Sequence, residues 1–510
     1  MSSELEMNQW LEGARALRER LLSDHARPQY HFACPEDDGN PGDPNAAFYA
    51  EGRYHLMFLY HCCSDSFRYG HISSPDLLHW ERHPDPLLPD ELDGGIFSGG
   101  AFVDEDGTAY ASYWALRPEN SGRESGIRIA FSKDRENNYE RWEKFDTDAV
   151  TATEFGVCTI KDDKGNPLHL AAADPSNIWK KDGFYYMQAG NLPLLNAYGR
   201  NPDSEKRYRG DSTDLFRSVD MKNWEYVHRF YERREDNLWT DESEDDMCPS
   251  FLPLPKSEKG GEKSDKYLQL FIAHNKGCQY YIGIYDEKND RFIPEKHGRM
   301  SWVDNHYFAP EALMAPDGRQ IMWAWIKENR EKEAQRFGWS GVYGVPRSLW
   351  LNEEGELGIA PIEELKRLRC KEAEHIEGFR SSCCEIVLEA DVREAERAGV
   401  SFYMSDDGEE YSRFYYDVAA GELVYEAYHP GSELERSVER APFRLKTGET
   451  LKLDIFIDHS VVEVFANNRQ AIGRRVYPVD KHCDYMSIYQ SGKIKVISEK
   501  VWEIAPVNPY

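Results

Sequence analysis

From about residue 43 to residue 360 the chain alternates apolar and polar positions over short runs, broken by Gly, Asp and Asn. The stretch "DPNAAFYAEGRYHLMFLY" (43–60) shows the unit: an acid before a proline, an alternating run, a Glu-Gly turn and an aromatic-rich run. A period of two marks half-buried strands, and an Asp-Gly or similar pair between two such runs marks a hairpin. The unit recurs as "GGAFVDEDGTAYASYW" (99–114), "DPSNIWKKDGFYYMQAGN" (174–191), "CPSFLPL" leading into "KYLQLFIAHN" (248–275) and "FAPEALMAPDGRQIMWAW" (308–325). A second hairpin follows each one, at 69–84, 127–145, 215–230, 280–295 and 344–359. Five units of four strands predict an all-β chain with a five-bladed β-propeller over residues 25–360. An all-β sandwich with coincident hairpin spacing is the competing arrangement.

Outside that span the pattern changes. Residues 1–24 read as an amphipathic helix with Trp10, Leu11, Leu17, Leu21 and Leu22 on or near one face. Residues 361–379 read as a polar linker, and residues 380–510 as a second β-domain of sandwich type, with runs such as "CEIVLEADV" and "TLKLDIFID".

In a propeller the first strand of each blade lines the central axis, so side chains from distant repeats converge there. Asp43 and Asp174 open equivalent strands, each before a proline, and both are expected to face that axis. The alternative for either is an Asp that caps a turn.

The 91 acidic against 62 basic residues give a net charge of −29. Such a surface repels nucleic acid and anionic membranes, which points to a neutral small molecule as partner. Aromatic residues at 13% suit strands and platforms for sugars. The ten cysteines, Cys34, Cys62, Cys63, Cys158, Cys248, Cys278, Cys370, Cys383, Cys384 and Cys483, form no Cys-x-x-Cys pair, so no zinc framework is visible. The N-terminal stretch lacks a signal-type apolar core and no run is long enough to span a membrane. The expectation is a cytoplasmic protein with reduced thiols. Homo-oligomerisation is left open.

Retaining cleavage of a glycosidic bond needs two carboxyl groups about 5–5.5 Å apart, one nucleophilic and one acting as acid and then base. "DESEDDMCPSF" (241–251) supplies a cluster with Glu242, Glu244, Asp245 and Asp246 just ahead of the fourth repeat. The competing reading is a solvated acidic loop.

Taken in order, these motifs resemble glycoside hydrolase family 32, the invertase, inulinase, levanase and fructosyltransferase group, over about residues 25–480. "NPGDPNAAFYAEGRYHLMFLY" is similar to the family's N-D-P-N-G box, "GHISSPDLLHW" and "IFSGGAFVD" to two further boxes, and "DP" at 174–175 to its R-D-P box. "IMWAW", "GWSGVYGVPR" and "IFIDHSVVEVFANNRQ" match as well. The resemblance implies five blades plus a sandwich, Asp43 as nucleophile and Asp174 as transition-state stabiliser. It places Asn45, Tyr69, Phe97, Ser98, Asp246 and Trp323 around the sugar. The chain departs from the family at Gly42, Ala46, Leu59, Tyr69 and Ala173, and Met247 replaces the Glu of E-C-P. Divergent members carry E-D-x-x-C-P, which implies Glu244 as acid/base, with Asp246 next in line. The function so implied is retaining hydrolysis of β-fructofuranosidic bonds in short fructosides such as sucrose, fructooligosaccharides or fructose dianhydrides, with no metal or cofactor expected because the protein supplies both carboxylates. A fructosyltransferase or a hydrolase of a related furanoside is the nearest alternative, and a non-catalytic glycan-binding propeller the alternative of another class. Inserts at 194–213 and 232–246 are expected to wall the pocket.

Overall fold

The computed structural model describes residues 2–33, 42–60, 66–118, 120–233, 239–330, 336–432, 434–480 and 482–508. Cys34, Cys62 and Cys63, and residues 234–238 of the second insert, lie outside them. The chain forms two compact units, Gly42–Trp325 with Pro346–Gly358, and Met1–Pro41 with Ile326–Val345 and Ile359–Tyr510.

The first unit carries the propeller. Blade one is a meander of Pro44–Ala50, Arg53–Tyr60, Arg68–Ser74 and Glu81–Leu87. Blade two has a split first strand, Gly95–Phe97 and Ala101–Val103, both paired to Ala109–Leu116. Blade three is likewise split, with Ala173–Pro175 and Trp179–Lys181 both on Phe184–Gly190. Blade four runs from Met247–Pro255 to Arg291–Arg299, and blade five begins with Tyr307–Met314. The first strands pack in a closed ring, each against the next blade and the fifth against the first. A hairpin of Val157–Lys161 and Pro167–Ala171, which the pattern did not predict, stands between blades two and three.

Apolar residues of the alternating strands fill the seams between blades. Met57, Leu59 and Tyr113 share one cluster, Ile129, Met187 and Phe216 a second, and Phe230, Phe251 and Phe271 a third. Full burial of such a side chain stabilises by roughly 1.5–3 kcal/mol, so each seam holds its two blades at a set angle. That angle decides what meets at the axis.

The first strands also share a backbone device. Ala46, Asp174, Cys248 and Ala309 all have left-handed backbones, with φ of 45°, 32°, 49° and 48°. Three of them sit at irregularities in register, between Asn45 and Phe48, Ala173 and Pro175, and Met247 and Ser250. A bulge inserts a residue and re-aims the side chains beside it, and non-glycine residues stay left-handed only where the surroundings hold them.

In the second unit, two long strands, Cys383–Met404 and Tyr485–Ile504, pair along most of their length. The first half of Cys383–Met404 also pairs Leu451–Asp458, and its second half pairs Tyr411–Asp417. One strand thus serves both layers of the sandwich, bending at successive bulges. Of the polar stretch 361–379, Arg369–Ala373 is a strand on Tyr485–Ile504. The N-terminal helix, Ser2–Ser23, buries Leu21 but leaves Trp10, Leu11 and Leu22 exposed, so the expected single apolar face is not buried. Downstream of it, His31 is buried between Asp458 (2.9 Å) and Glu463 (3.1 Å), and Asp458 also accepts the backbone N–H groups of Gln29, Tyr30 and His31. The acids of "IFIDHSVVEVFANNRQ" therefore clasp the start of the chain.

Candidate active site

Two carboxylates meet at one thiol. Cys248 Sγ lies 3.5 Å from Asp174 Oδ2 and 3.8 Å from Asp43 Oδ2. Residues 74 and 205 positions apart in these two pairs are brought together because bulges in blades one, three and four turn the three side chains toward the axis. Ser98 Oγ donates to Asp43 Oδ2 at 2.7 Å, which fixes the carboxylate's rotamer. Asn45 holds the backbone beneath it, donating to the Asp43 carbonyl at 2.9 Å and accepting from Gly99 N–H at 3.1 Å. Gly100 lies so close to blade three that a Cβ there would fall 2.2 Å from the Asn177 nitrogen, so this approach requires glycine.

Burial pushes the Asp174 carboxyl up to about 7, with the neighbouring charge of Asp43 as the next cause. Its Oδ1 is buried without a hydrogen-bond partner among the described residues. An unsatisfied buried acceptor is costly unless a ligand or water meets it. Burial and both acids hold the Cys248 thiol well above its ordinary value, so it remains a neutral donor.

The sequence-predicted residues divide into groups. Asp43, Ser98, Asn45, Asp174 and the thiol form the cluster. Phe97 is half-buried between Phe67 and Trp114, at ring separations of 4.8 and 5.4 Å, and Trp114 meets the exposed Phe155 at 5.0 Å. Tyr69 is fully buried and donates to the Phe97 carbonyl at 2.9 Å, so it supports the pocket wall and offers no surface to a sugar. Trp323 is also fully buried, edge-on to Trp80 at 6.1 Å. The tryptophan of that strand beside the cluster is Trp325, whose ring would lie 3.7 Å from a Cβ on Gly42.

The acids before Cys248 go three ways. Glu244 Oε2 accepts from Gln279 at 2.8 Å, both its oxygens accept from Arg299 at 3.1 Å, and Oε1 accepts the Asp241 N–H. Asp246 turns into blade four, where Gln269 donates to it at 2.5 Å and burial together with Asp211 holds it well above the carboxylate range. None of these described bonds joins either acid to the Asp43, Asp174 and Cys248 cluster. Asp245 instead reaches His274 at 2.8 Å. Met247, in the position of the family's Glu, accepts the Leu192 N–H on its sulfur at 3.3 Å.

One acid at the axis escaped the sequence reading. Glu311, in the first strand of blade five, accepts the Ala47 N–H at 2.7 Å, and burial raises it to about 8. Its signal was present, since it follows Ala309 in a strand equivalent to that of Asp43.

Comparison with known proteins places this site in context. The model of the glycosyl hydrolases family 32 N-terminal domain matches residues 31–361, and that of the family's C-terminal domain residues 362–503. The raffinose invertase of Escherichia coli is 28% identical over 496 residues, covering 92% of this chain and 94% of that protein. A levanase of Bacillus subtilis is 25% identical over 537 residues, covering 94% and 71%. Among solved structures, a variant of fructan 1-exohydrolase IIa from Cichorium intybus in complex with 1-kestose has a TM-score of 0.77 at 20% identity, covering 95% and 98%. With both family domains matched along nearly its whole length and two axial carboxylates at one thiol, this chain belongs to glycosyl hydrolase family 32.

Proposed function

We propose that this chain is a retaining β-fructofuranosidase of short fructosides, with Asp43 as nucleophile and Asp174 as stabiliser. Membership of the family makes it a glycosidase, and its relatives include an invertase, levanases and a sucrose-6-phosphate hydrolase. The observation that carries the reading is the pairing of Asp43 with Asp174 across Cys248. Asp43 attacks the anomeric carbon, and the resulting ester is then hydrolysed. Asp174, held high enough to carry a proton near neutrality, hydrogen-bonds the sugar's ring hydroxyls as the oxocarbenium-like state forms. Phe97 and Phe155 supply apolar faces for the substrate. Sucrose, fructooligosaccharides and fructose dianhydrides are the candidate substrates. A cytoplasmic location is proposed with it, and the seven described cysteines, all free thiols, suit a reducing compartment.

The test is Asp43→Asn, which keeps shape and removes the nucleophile. Fructose release from sucrose or 1-kestose is expected to fall by about 10³-fold or more while sugar binding persists. Mass spectrometry of the parent quenched during turnover should find a fructosyl adduct on the peptide holding Asp43. Turnover of the variant within about tenfold of the parent would remove Asp43 from this role.

A further inference from the structure

We propose that His274, carried by Asp245, is the proton donor and acceptor of this site; the proposal rests on the fructosidase reading and names the group that reading lacks. A double displacement needs one group that protonates the leaving oxygen and later takes a proton from water. The chain has Met247 where its family has Glu, and the acids just upstream are engaged elsewhere. Glu244 is buried with its oxygens accepting from Arg299, Gln279 and the Asp241 N–H. Asp246 is fully buried against Gln269.

The Asp245–His274 pair is placed differently. In blade four Met247 pairs with Ile272, so two residues further toward the strand end Asp245 faces His274. The contact is doubled: Asp245 Oδ1 accepts the His274 backbone N–H at 3.0 Å and Oδ2 meets the ring Nδ1 at 2.8 Å. Asn305 donates to the His274 carbonyl from the other side. Backbone and ring are thus both held, and Nδ1 is the hydrogen-bearing nitrogen toward the carboxylate. The Asp245 side chain is 1% exposed and that of His274 46%, so the second nitrogen, Nε2, is open to a ligand. Three residues beyond Asp245 lies Cys248, the thiol on which Asp43 and Asp174 converge. The His274 ring lies 5.8 Å from that of Phe308, which is 6.3 Å from the Trp325 ring beside Gly42. The charges facing the imidazole are Asp245, Asp174 and Asp43, which together raise it above its ordinary value against the effect of burial. A carboxylate that orients an imidazole and stabilises its charged form recurs in hydrolases of unrelated fold.

The chemistry balances without a further reactant. As Asp43 forms its bond to the anomeric carbon, the bond to the leaving oxygen breaks and that oxygen takes the proton from Nε2 of the imidazolium. In the second step neutral Nε2 takes a proton from water, whose oxygen bonds the anomeric carbon while the ester to Asp43 breaks. The imidazolium is restored.

The experiment compares His274→Ala, His274→Gln, Asp245→Asn and Glu244→Gln on sucrose and on p-nitrophenyl β-D-fructofuranoside. Loss of the acid should slow sucrose by about 10²–10⁴-fold and the aryl fructoside, whose leaving group needs no proton, by less than about tenfold in its first step. Azide should speed the second step in both His274 variants, giving fructosyl azide, and leave the parent unchanged. In Asp245→Asn, a positioning variant, the alkaline limb of kcat/KM should move to lower pH with little change in KM. Glu244→Gln should lack the leaving-group signature. His274 is half-exposed, so its replacements open no core cavity, and the glutamine carries the test should the alanine variant misfold. Sucrose turnover within about tenfold of the parent in a folded His274 variant overturns the proposal; so does the signature appearing in Glu244→Gln instead. A parent that releases fructose from neither substrate overturns the fructosidase reading, and the proposal with it.

Discussion

Glu311 and Asp174 show what a buried acid costs this fold. Both are raised chiefly by burial, to about 8 and about 7. A carboxyl with a higher value in the folded than in the unfolded chain favours folding only while protonated. Its contribution therefore declines as pH rises from the unfolded value, 4.5 for Glu311, to the folded one, and is level above that. Glu311→Gln keeps an oxygen to accept the Ala47 N–H and removes the titration. Relative to the parent, this variant is expected to gain thermal stability on going from pH 5 to pH 9, read as the difference in Tm at the two values. An unchanged difference would mean Glu311 stays charged at the axis. In the role proposed for it, Asp174 would offset the same cost by meeting a sugar's hydroxyls as an acid that holds a proton near neutrality.

Elements carry the second level. The clasp of His31 by Asp458 and Glu463 joins the segment after the helix to the hairpin of Leu451–Asp458 and Val461–Ala466. Burial alone would lower the imidazole, but the two acids outweigh it and lift it from 6.5 to about 9. A histidine raised on folding stabilises fully below its unfolded value, and the contribution is lost as pH rises through about 9. Removing one partner of a buried charged set costs about 3–5 kcal/mol, because the remaining charge is left without compensation. His31→Gln should therefore unfold at markedly lower denaturant at pH 6, and the gap to the parent should narrow by pH 10. Equal midpoints at pH 6 would show that the clasp contributes little.

At the scale of the whole molecule, reach into the axis is set by segments from several blades. The first insert is not an open loop: Leu192–Leu194, Leu195–Gly199 and Lys206–Tyr208 are helical turns, and Tyr198 stacks on His169 at 3.8 Å. It joins the second insert through Arg200 to the Ser243 carbonyl at 2.6 Å and Gly210 N–H to the Glu242 carbonyl. The described parts of the two connections are thus bonded to each other, and a wall built from them beside blades three and four would admit a short chain end more readily than a polymer. The expectation is a kcat/KM for 1-kestose at least about tenfold above that for high-mass inulin or levan per chain end. Equal values would remove the wall from substrate choice.

Much of this organisation is a property of the sequence by itself. Period-two alternation and turn chemistry act over a few residues, so five four-strand units and a second β-domain are legible without coordinates. Repetition then puts Asp43 and Asp174 at equivalent strands and hence at one axis, because equivalent positions in a closed ring converge. Which residue turns inward was decided only by the tertiary structure. Of four acids between Glu242 and Asp246, Glu244 is taken by Gln279 and Arg299, 35 and 55 residues away, and Asp245 by His274. Tyr69, which departs from its family box, and Trp323, which matches one, are both buried in the fold. Glu311 sits on a repeat strand that the pattern shows, but the Ala47 N–H that it meets, like the Asp245 partner of His274, comes from packing that no local pattern encodes. The physical reason is common to all of them: a bulge of one residue reverses the face a side chain leaves from, and the partner that satisfies a buried polar group comes from wherever the fold brings it.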